Sequence, residues 1–190
     1  MMNPNKVKQH NLYLVGGGVR SGKSNFALEL AKKLGKERVF VATAQAWDQE
    51  MKDRIARHQT ERADDFAVFE APTDPSCYFV EKEFTDVILL DCLTLWISNL
   101  MMQEKSLDEI LDAINKFIIQ ASNHCRHLII VTNEVGLGVV PESAMGRQFR
   151  DITGFAHQLI SRQADHVYFA TMGLIQKVKP AANLVVEGMV

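Results

Sequence analysis

The sequence predicts a three-layer α/β protein built on a mostly parallel sheet of about seven strands, one of them antiparallel. Three observations carry this expectation. Short apolar runs alternate with amphipathic helical stretches from Leu12 to Val178, the pattern of helices packed on the faces of one sheet. The run Asp86-Val-Ile-Leu-Leu-Asp91 is apolar without alternation, as a strand buried on both faces must be. A glycine-rich string, Gly17-Gly18-Val19-Arg20-Ser21-Gly22-Lys23-Ser24, joins the first apolar run to the first helical stretch.

Taken in order, Leu12–Val15 is the first strand, and Lys23 to about Leu34 the first helix, with Gly35 placed as a C-terminal cap. Val39–Ala42 is the second strand. The charged stretch from Asp48 to about Thr60 reads as a helix with Met51, Ile55 and His58 on one face. Phe66–Phe69 and Asp86–Asp91 are the next strands, followed by an apolar helix from Leu93 to about Met102. Ser106 caps a long amphipathic helix with apolar positions Leu107, Ile110, Leu111, Ile114, Phe117, Ile118 and Ala121. His127–Thr132 is the fifth strand. A loop containing Gly136, Gly138 and Pro141 leads to a helix from about Glu142 to Ala164, striped by Phe149, Ile152, Ala156, Leu159 and Ile160. Val167–Ala170 and Leu174–Val178 close the chain as a hairpin around Met172-Gly173, which makes the last strand the antiparallel one.

Length and composition bound the function. A chain of 190 residues, 47% of them hydrophobic, is read as one domain spanning 1–190, with 1–11 and 180–190 as loosely held tails. A formal charge of −2 argues against nucleic acid or an anionic membrane as a partner. No apolar run reaches the ~18–20 residues of a membrane span. The segment Met1–Asn11 is polar and lacks the apolar region of a signal peptide. Cys77, Cys92 and Cys125 form neither a disulfide framework nor a zinc pattern. They read as small buried hydrophobes in a reducing, cytoplasmic compartment.

The glycine string matches the eight-residue phosphate loop in the strand–loop–helix setting that the motif requires. This makes the sheet P-loop NTPase-like. Glycines let backbone N–H groups turn towards phosphate oxygens, and the helix N-terminus adds partial positive charge. Gly17, Gly18, Val19, Arg20, Ser21, Gly22, Lys23 and Ser24 are therefore nucleotide-binding candidates, with Lys23 on the β/γ-phosphates and the Ser24 hydroxyl on Mg²⁺. Ligands of such sheets gather at the carboxyl ends of the strands. That edge also receives Thr43-Ala44-Gln45, Glu70, Asp91 and Thr132-Asn133-Glu134. Asp91 ends an apolar strand and can hold Mg²⁺ directly or through water. Thr43, Gln45 and Glu70 offer hydrogen bonds to phosphates, ribose or base, and each reads equally well as an ordinary surface group.

His58 lies between Arg54 and Arg62 at helical spacing. Positive neighbours disfavour imidazolium, which keeps the ring in its nucleophilic form. The same arginines could steady a phosphate passing to it. Spacing alone leaves a solvated surface histidine as the more ordinary reading.

Several strings occur together and in order: Gly17–Ser24, Val41-Ala42-Thr43-Ala44-Gln45, Asp48 through His58, Asp91-Cys92-Leu93-Thr94, Thr132 through Glu142, and Arg147-Gln148-Phe149-Arg150-Asp151. The set resembles the bifunctional adenosylcobinamide kinase / adenosylcobinamide-phosphate guanylyltransferase family of cobalamin biosynthesis, from about Leu12 to Lys179. The resemblance implies two reactions. A nucleoside triphosphate, ATP or GTP, phosphorylates the hydroxyl of adenosylcobinamide. GTP then gives GMP to that phosphate through a GMP–histidine intermediate, placed here on His58. It further implies nucleotide contacts from Gln59, Thr60, Glu61, Arg62, Glu70 and Asp91, catalytic roles for Lys23 and His58, and a homotrimer. Arg57 stands where some relatives carry a second histidine, and Asp91 where some carry Glu. A plain small-molecule kinase and a nucleotide-dependent binding switch are the competing readings. The guanine-reading Asn-Lys-x-Asp string of switches is absent, with Thr132-Asn133-Glu134-Val135 where it might stand. Glu134 is a possible base for the kinase step and equally a structural carboxylate.

Overall fold

The protein is described from a computed structural model, which covers residues 10–45, 65–80 and 84–180. Seven strands form a single sheet: β1 (Asn11–Gly17), β2 (Arg38–Ala42), β3 (Ala67–Glu70), β4 (Thr85–Asp91), β5 (Cys125–Asn133), β6 (His166–Thr171) and β7 (Leu174–Lys179). Their order is β3-β2-β4-β5-β1-β6-β7, parallel throughout except for the antiparallel β6–β7 pair. Four helices accompany the described strands: α1 (Lys23–Leu34), α2 (Leu93–Met102), α3 (Leu107–His124) and α4 (Ala144–Gln163). A 3-10 turn over Pro75–Phe79, not anticipated from the sequence, starts at Asp74, whose side chain accepts the Ser76 N–H.

The buried strand at the centre explains the layering. Val87, Ile88, Leu89 and Leu90 of β4 are each fully buried, and successive residues point to opposite faces. Ile88 and Leu90 join a cluster with Trp96, Ile97, Ile114, Phe117, Ile152 and Ile160, under α2, α3 and α4. Val87 and Leu89 join the other, with Tyr13, Val15, Ala27, Leu28 and Ala31, under α1. Each such aliphatic side chain contributes about 1.5–3 kcal/mol by leaving water. The expected helix over Asp48–Thr60 and both tails lie outside the described residues, Pro180 and the short stretch at His10–Asn11 excepted.

Local signals hold with one revision. Ser106 and Glu109 form a complete capping box at the start of α3, each side chain meeting the other's backbone N–H. Met172 and Gly173 both have positive φ, 50° and 81°, as the tight hairpin between β6 and β7 demands. Gly35 is the C-terminal cap of α1 as expected, its N–H donating to Ala31 O at 3.3 Å, with an extended backbone at φ −170°. Glycine is needed there because a Cβ would collide with the Asp86 side chain. Cys77 departs from the buried-hydrophobe expectation. It is exposed and donates to the Asp74 carbonyl, whereas Cys92 and Cys125 are buried.

Candidate functional site

The carboxyl ends of the strands place the phosphate loop beside the central strands. β1 runs between β5 and β6, so Gly17 faces Asn133 on one side and Ala170 on the other. A Cβ on Gly17 would strike the Ala170 carbonyl, which leaves glycine as the residue that lets the chain turn there. Arg20 at φ 55° and Gly22 at φ 92° carry the loop through left-handed conformations. The loop is braced by Ser21 N–H to Gly18 O at 3.3 Å and by the hairpin's Gly173 N–H to Ser21 O at 3.2 Å. This second brace has no motif in the sequence; the hairpin glycine acts on a loop about 150 residues away.

Lys23 opens α1 and is buried, its Nζ donating to the Gly18 carbonyl at 3.1 Å. Gly22, as N-cap, supplies no side-chain oxygen, and the first turn of α1 holds no acidic residue. The helix's leading N–H groups and partial positive charge are thus open to an anion. Ser21 Oγ is buried without a hydrogen-bond partner among the described residues. An uncapped helix start, an orphaned hydroxyl and a buried lysine on one loop fit a polyphosphate.

Asp91 ends β4, which is separated from β1 by β5 alone. Two strand spacings put it about 10 Å along the sheet from the loop, on the same carboxyl edge as Ser24. Ser24 is half-buried on the first turn of α1. One hydroxyl and one carboxylate, with water and phosphate for the remaining positions, suit Mg²⁺. Glu70 ends β3 at the sheet margin, in register with Ala42 and exposed, four strand spacings from β1.

Thr43 is fully buried, and both roles of its hydroxyl are taken: it donates to Cys92 O and accepts Cys92 N–H, each at 2.8 Å. Its carbonyl accepts from Asn99 Nδ2 at 2.8 Å. Thr43 therefore ties the end of β2 to the end of β4 and holds Asp91 in place, while the half-buried Ala44 and Gln45 continue beyond it. Cys92 Sγ contacts Thr94 Oγ1 at 3.2 Å, and burial pushes the thiol up to about 11. It is a packing group rather than a nucleophile.

β5 adds a cluster that the sequence only half disclosed. Asn133 Nδ2 donates to Thr94 Oγ1 at 3.0 Å. Glu134 N–H donates to Gly17 O at 3.0 Å, and its carboxylate accepts the Gly136 N–H. His157 of α4 reaches both neighbours: Nε2 lies 2.7 Å from Thr132 Oγ1, and Nδ1 lies 3.6 Å from Glu134 Oε2. Burial lowers the His157 pKa, opposed by the Glu134 charge. His157 was not among the expected site residues. Its flanking of the α4 apolar stripe, next to Ala156, was the available signal.

His58 and the segment Gln59, Thr60, Glu61 and Arg62 lie outside the described residues. The structure thus brings together Gly17–Ser24, Asp91 and Glu134, with Thr43 to Gln45 alongside and Glu70 at the margin. Among the described residues no cluster of His, Cys, Asp and Glu forms a metal cage of its own, and no helix is long and apolar enough to cross a membrane.

Known proteins resemble this chain over most of its length. The model of the family described as cobinamide kinase / cobinamide phosphate guanyltransferase matches residues 13–178. The bifunctional adenosylcobalamin biosynthesis protein CobP of Pseudomonas aeruginosa is 36% identical, the alignment covering 87% of this chain and 96% of that protein. The CobU proteins of Escherichia coli and Salmonella typhimurium are 31% and 32% identical, each over 88% of this chain and 99% of theirs. Among solved structures, the flagellar accessory protein FlaH of Methanocaldococcus jannaschii aligns at TM-score 0.48 and 14% identity, over 89% of this chain and 78% of that one. With a family match spanning the sheet from β1 to β7 and relatives alike over nearly their whole length, the chain belongs to the cobinamide kinase / cobinamide phosphate guanyltransferase family.

Proposed function

We propose that this chain, as one catalytic unit, carries out both reactions named for its family: phosphorylation of adenosylcobinamide by a nucleoside triphosphate, then transfer of GMP from GTP to the resulting phosphate. The observation that supports the reading is the phosphate loop, where buried Lys23, the uncapped start of α1 and the orphaned Ser21 hydroxyl lie together. Phosphoryl and nucleotidyl transfer need charge neutralisation and in-line placement more than elaborate acid–base machinery. Lys23 and the loop amides supply the first at the β/γ end. Ser24 and Asp91 would hold Mg²⁺, which adds charge neutralisation on the phosphates when bound.

In the second reaction His58 attacks the α-phosphorus of GTP and pyrophosphate leaves. The phosphate of adenosylcobinamide phosphate then takes GMP from the imidazole, giving adenosylcobinamide-GDP. Support for His58 comes from the resemblance and from Arg54 and Arg62 at helical spacing on either side of it. Gln59 to Arg62 and Glu70 are read as contacts to the nucleoside, and Thr43 to Gln45 as the ledge that sets Asp91. ATP or GTP serves the first step. A homotrimer in the cytoplasm completes the reading, on resemblance and on cysteine usage.

Incubation with GTP labelled at the α-phosphate and Mg²⁺, followed by denaturation, tests the covalent step. The expected adduct is acid-labile and alkali-stable, disappears in His58→Ala, and is discharged by adenosylcobinamide phosphate. Active wild-type protein that never takes up label would overturn the histidine intermediate and leave a plain kinase.

A further inference from the structure

We propose that Glu134 accepts the proton of the hydroxyl that is phosphorylated, and that His157 positions its carboxylate for this. The inference rests on the kinase half of the reading above. Among the described residues, Glu70 and Asp91 end strands at the carboxyl edge, and Glu134 directly follows β5. Glu70 stands at the sheet margin, four strands from the phosphate loop, and Asp91 is placed for the metal. Glu134 leaves the strand next to β1, and its own N–H to Gly17 O at 3.0 Å fixes it to the root of the loop.

The carboxylate is held but not consumed. Oε1 takes the Gly136 N–H, while Oε2 faces His157 Nδ1 at 3.6 Å, beyond hydrogen-bond length. About a quarter of the side chain is exposed. The structural carboxylates at the other end of the sheet differ. Asp86 Oδ2 accepts the backbone N–H groups of Lys36 and Glu37, and Asp165 Oδ2 accepts that of Leu12. Glu134 Oε2 meets no backbone donor among the described residues.

The orientation comes from α4. Thr132 is 1% exposed, and its hydroxyl lies 2.7 Å from His157 Nε2. With that hydroxyl donating to Nε2, the imidazole proton sits on Nδ1 and points to Glu134. A neutral ring whose N–H dipole faces the carboxylate orients it without cancelling its charge. The step balances simply. The acceptor oxygen forms a bond to the γ-phosphorus as its proton passes to Glu134 Oε2. The bond from γ-phosphorus to the bridging oxygen breaks, and its electron pair leaves with the nucleoside diphosphate. Glu134 returns the proton to water.

Steady-state phosphorylation of adenosylcobinamide by wild type, Glu134→Gln, Glu134→Asp, His157→Ala and His157→Gln is the test. A positioned base contributes about 100-fold or more, so E134Q should lose at least that in kcat with nucleotide KM changed by less than about threefold. E134D, keeping the carboxylate on a shorter arm, should fall between wild type and E134Q. H157A should lose about tenfold in kcat at unchanged nucleotide KM, and H157Q, able to bond Thr132 and face Glu134, should recover most of it. An E134Q enzyme within about threefold of wild-type kcat, an E134D no better than E134Q, or a parallel rise in nucleotide KM would overturn the proposal. Wild-type protein unable to phosphorylate the hydroxyl would instead overturn the kinase reading beneath it.

Discussion

The two ends of the same sheet use similar residues for opposite purposes. At the amino ends, polar side chains close the structure. Asp86 caps the Lys36 and Glu37 N–H groups, Asp165 caps Leu12, and Thr85 Oγ1 donates to Glu37 O at 2.9 Å. The Lys36 and Glu37 N–H groups pull the Asp86 pKa below its usual value, with smaller help from Arg126 and His127. At the carboxyl ends, the phosphate loop carries left-handed Arg20 and Gly22, the orphaned Ser21 Oγ, and a helix start with no side-chain cap, although His10 Nε2 and His166 Nδ1 at the amino edge are also buried without partners among the described residues. The comparison separates a carboxylate that holds the fold from one available for chemistry. Whether backbone donors fill it matters more than its residue type.

The comparison breaks most sharply at Lys23. Removing one positioned donor from developing phosphate charge costs about 100-fold or more in rate. Lys23→Ala should therefore abolish nearly all kinase turnover and weaken nucleotide binding, while its thermal unfolding stays close to wild type. Steady-state kinetics beside a melting curve checks both. A Lys23→Ala protein that keeps turnover but melts early would mean that the loop is a structural turn, like the amino edge.

How much of this was legible in the sequence depended on the range of the interaction. The β4 run, the Ser106 cap and the Met172-Gly173 hairpin are local, and the structure agrees with each. The phosphate loop was legible because its chemistry demands particular residues in consecutive positions. Gly35 was legible as the cap of α1, but its close approach to Asp86, fifty-one positions away, was not, because nothing local marks it. Thr43 looked like a ligand-facing hydroxyl, yet the backbone of Cys92 takes up both of its hydrogen-bonding roles. His157 was overlooked because its partners, Thr132 and Glu134, meet it only once α4 folds back across β5. His58 lies outside the described residues, and its assigned role rests on the resemblance.

At the amino edge, Asp86→Ala should cost roughly 2 kcal/mol, the scale of charge-assisted bonds to two backbone N–H groups, with kinase kcat unchanged. Because the folded-state pKa of Asp86 is lowered, its contribution is fully present above the unfolded value near 3.8 and fades as pH falls through the folded one. Urea unfolding at pH 7 and at pH 3.5 should therefore separate wild type from variant more at the higher pH. Gly35→Ala drives a Cβ against the same Asp86 side chain and should cost about 1–2 kcal/mol by overpacking. The two changes share one contact, so their effects should not add. Additive costs would mean that Gly35 and Asp86 act separately.

The smallest expected effect sharpens the comparison through the histidines. His127 and His166 lie at the amino edge around Tyr13, edge-on at 5.9 Å and stacked at 4.6 Å between ring centroids. Burial lowers both pKa values. Arg126 and His10 add to the effect at His127 against Asp86, and Lys177 adds to it at His166 against Asp165. A histidine with a depressed folded pKa binds fewer protons folded than unfolded, so its neutral form favours the native state above the unfolded value near 6.5. That contribution is lost as pH falls through this region. The melting temperature should drop between pH 7.5 and pH 5.5, and a His127→Asn/His166→Asn variant should flatten the drop. His157→Asn at the carboxyl edge should flatten it further, since burial lowers that histidine as well. If only His157→Asn changed the slope, protonation would act on the site and leave the closed edge untouched, and the amino-edge cluster would be packing with no electrostatic part in stability.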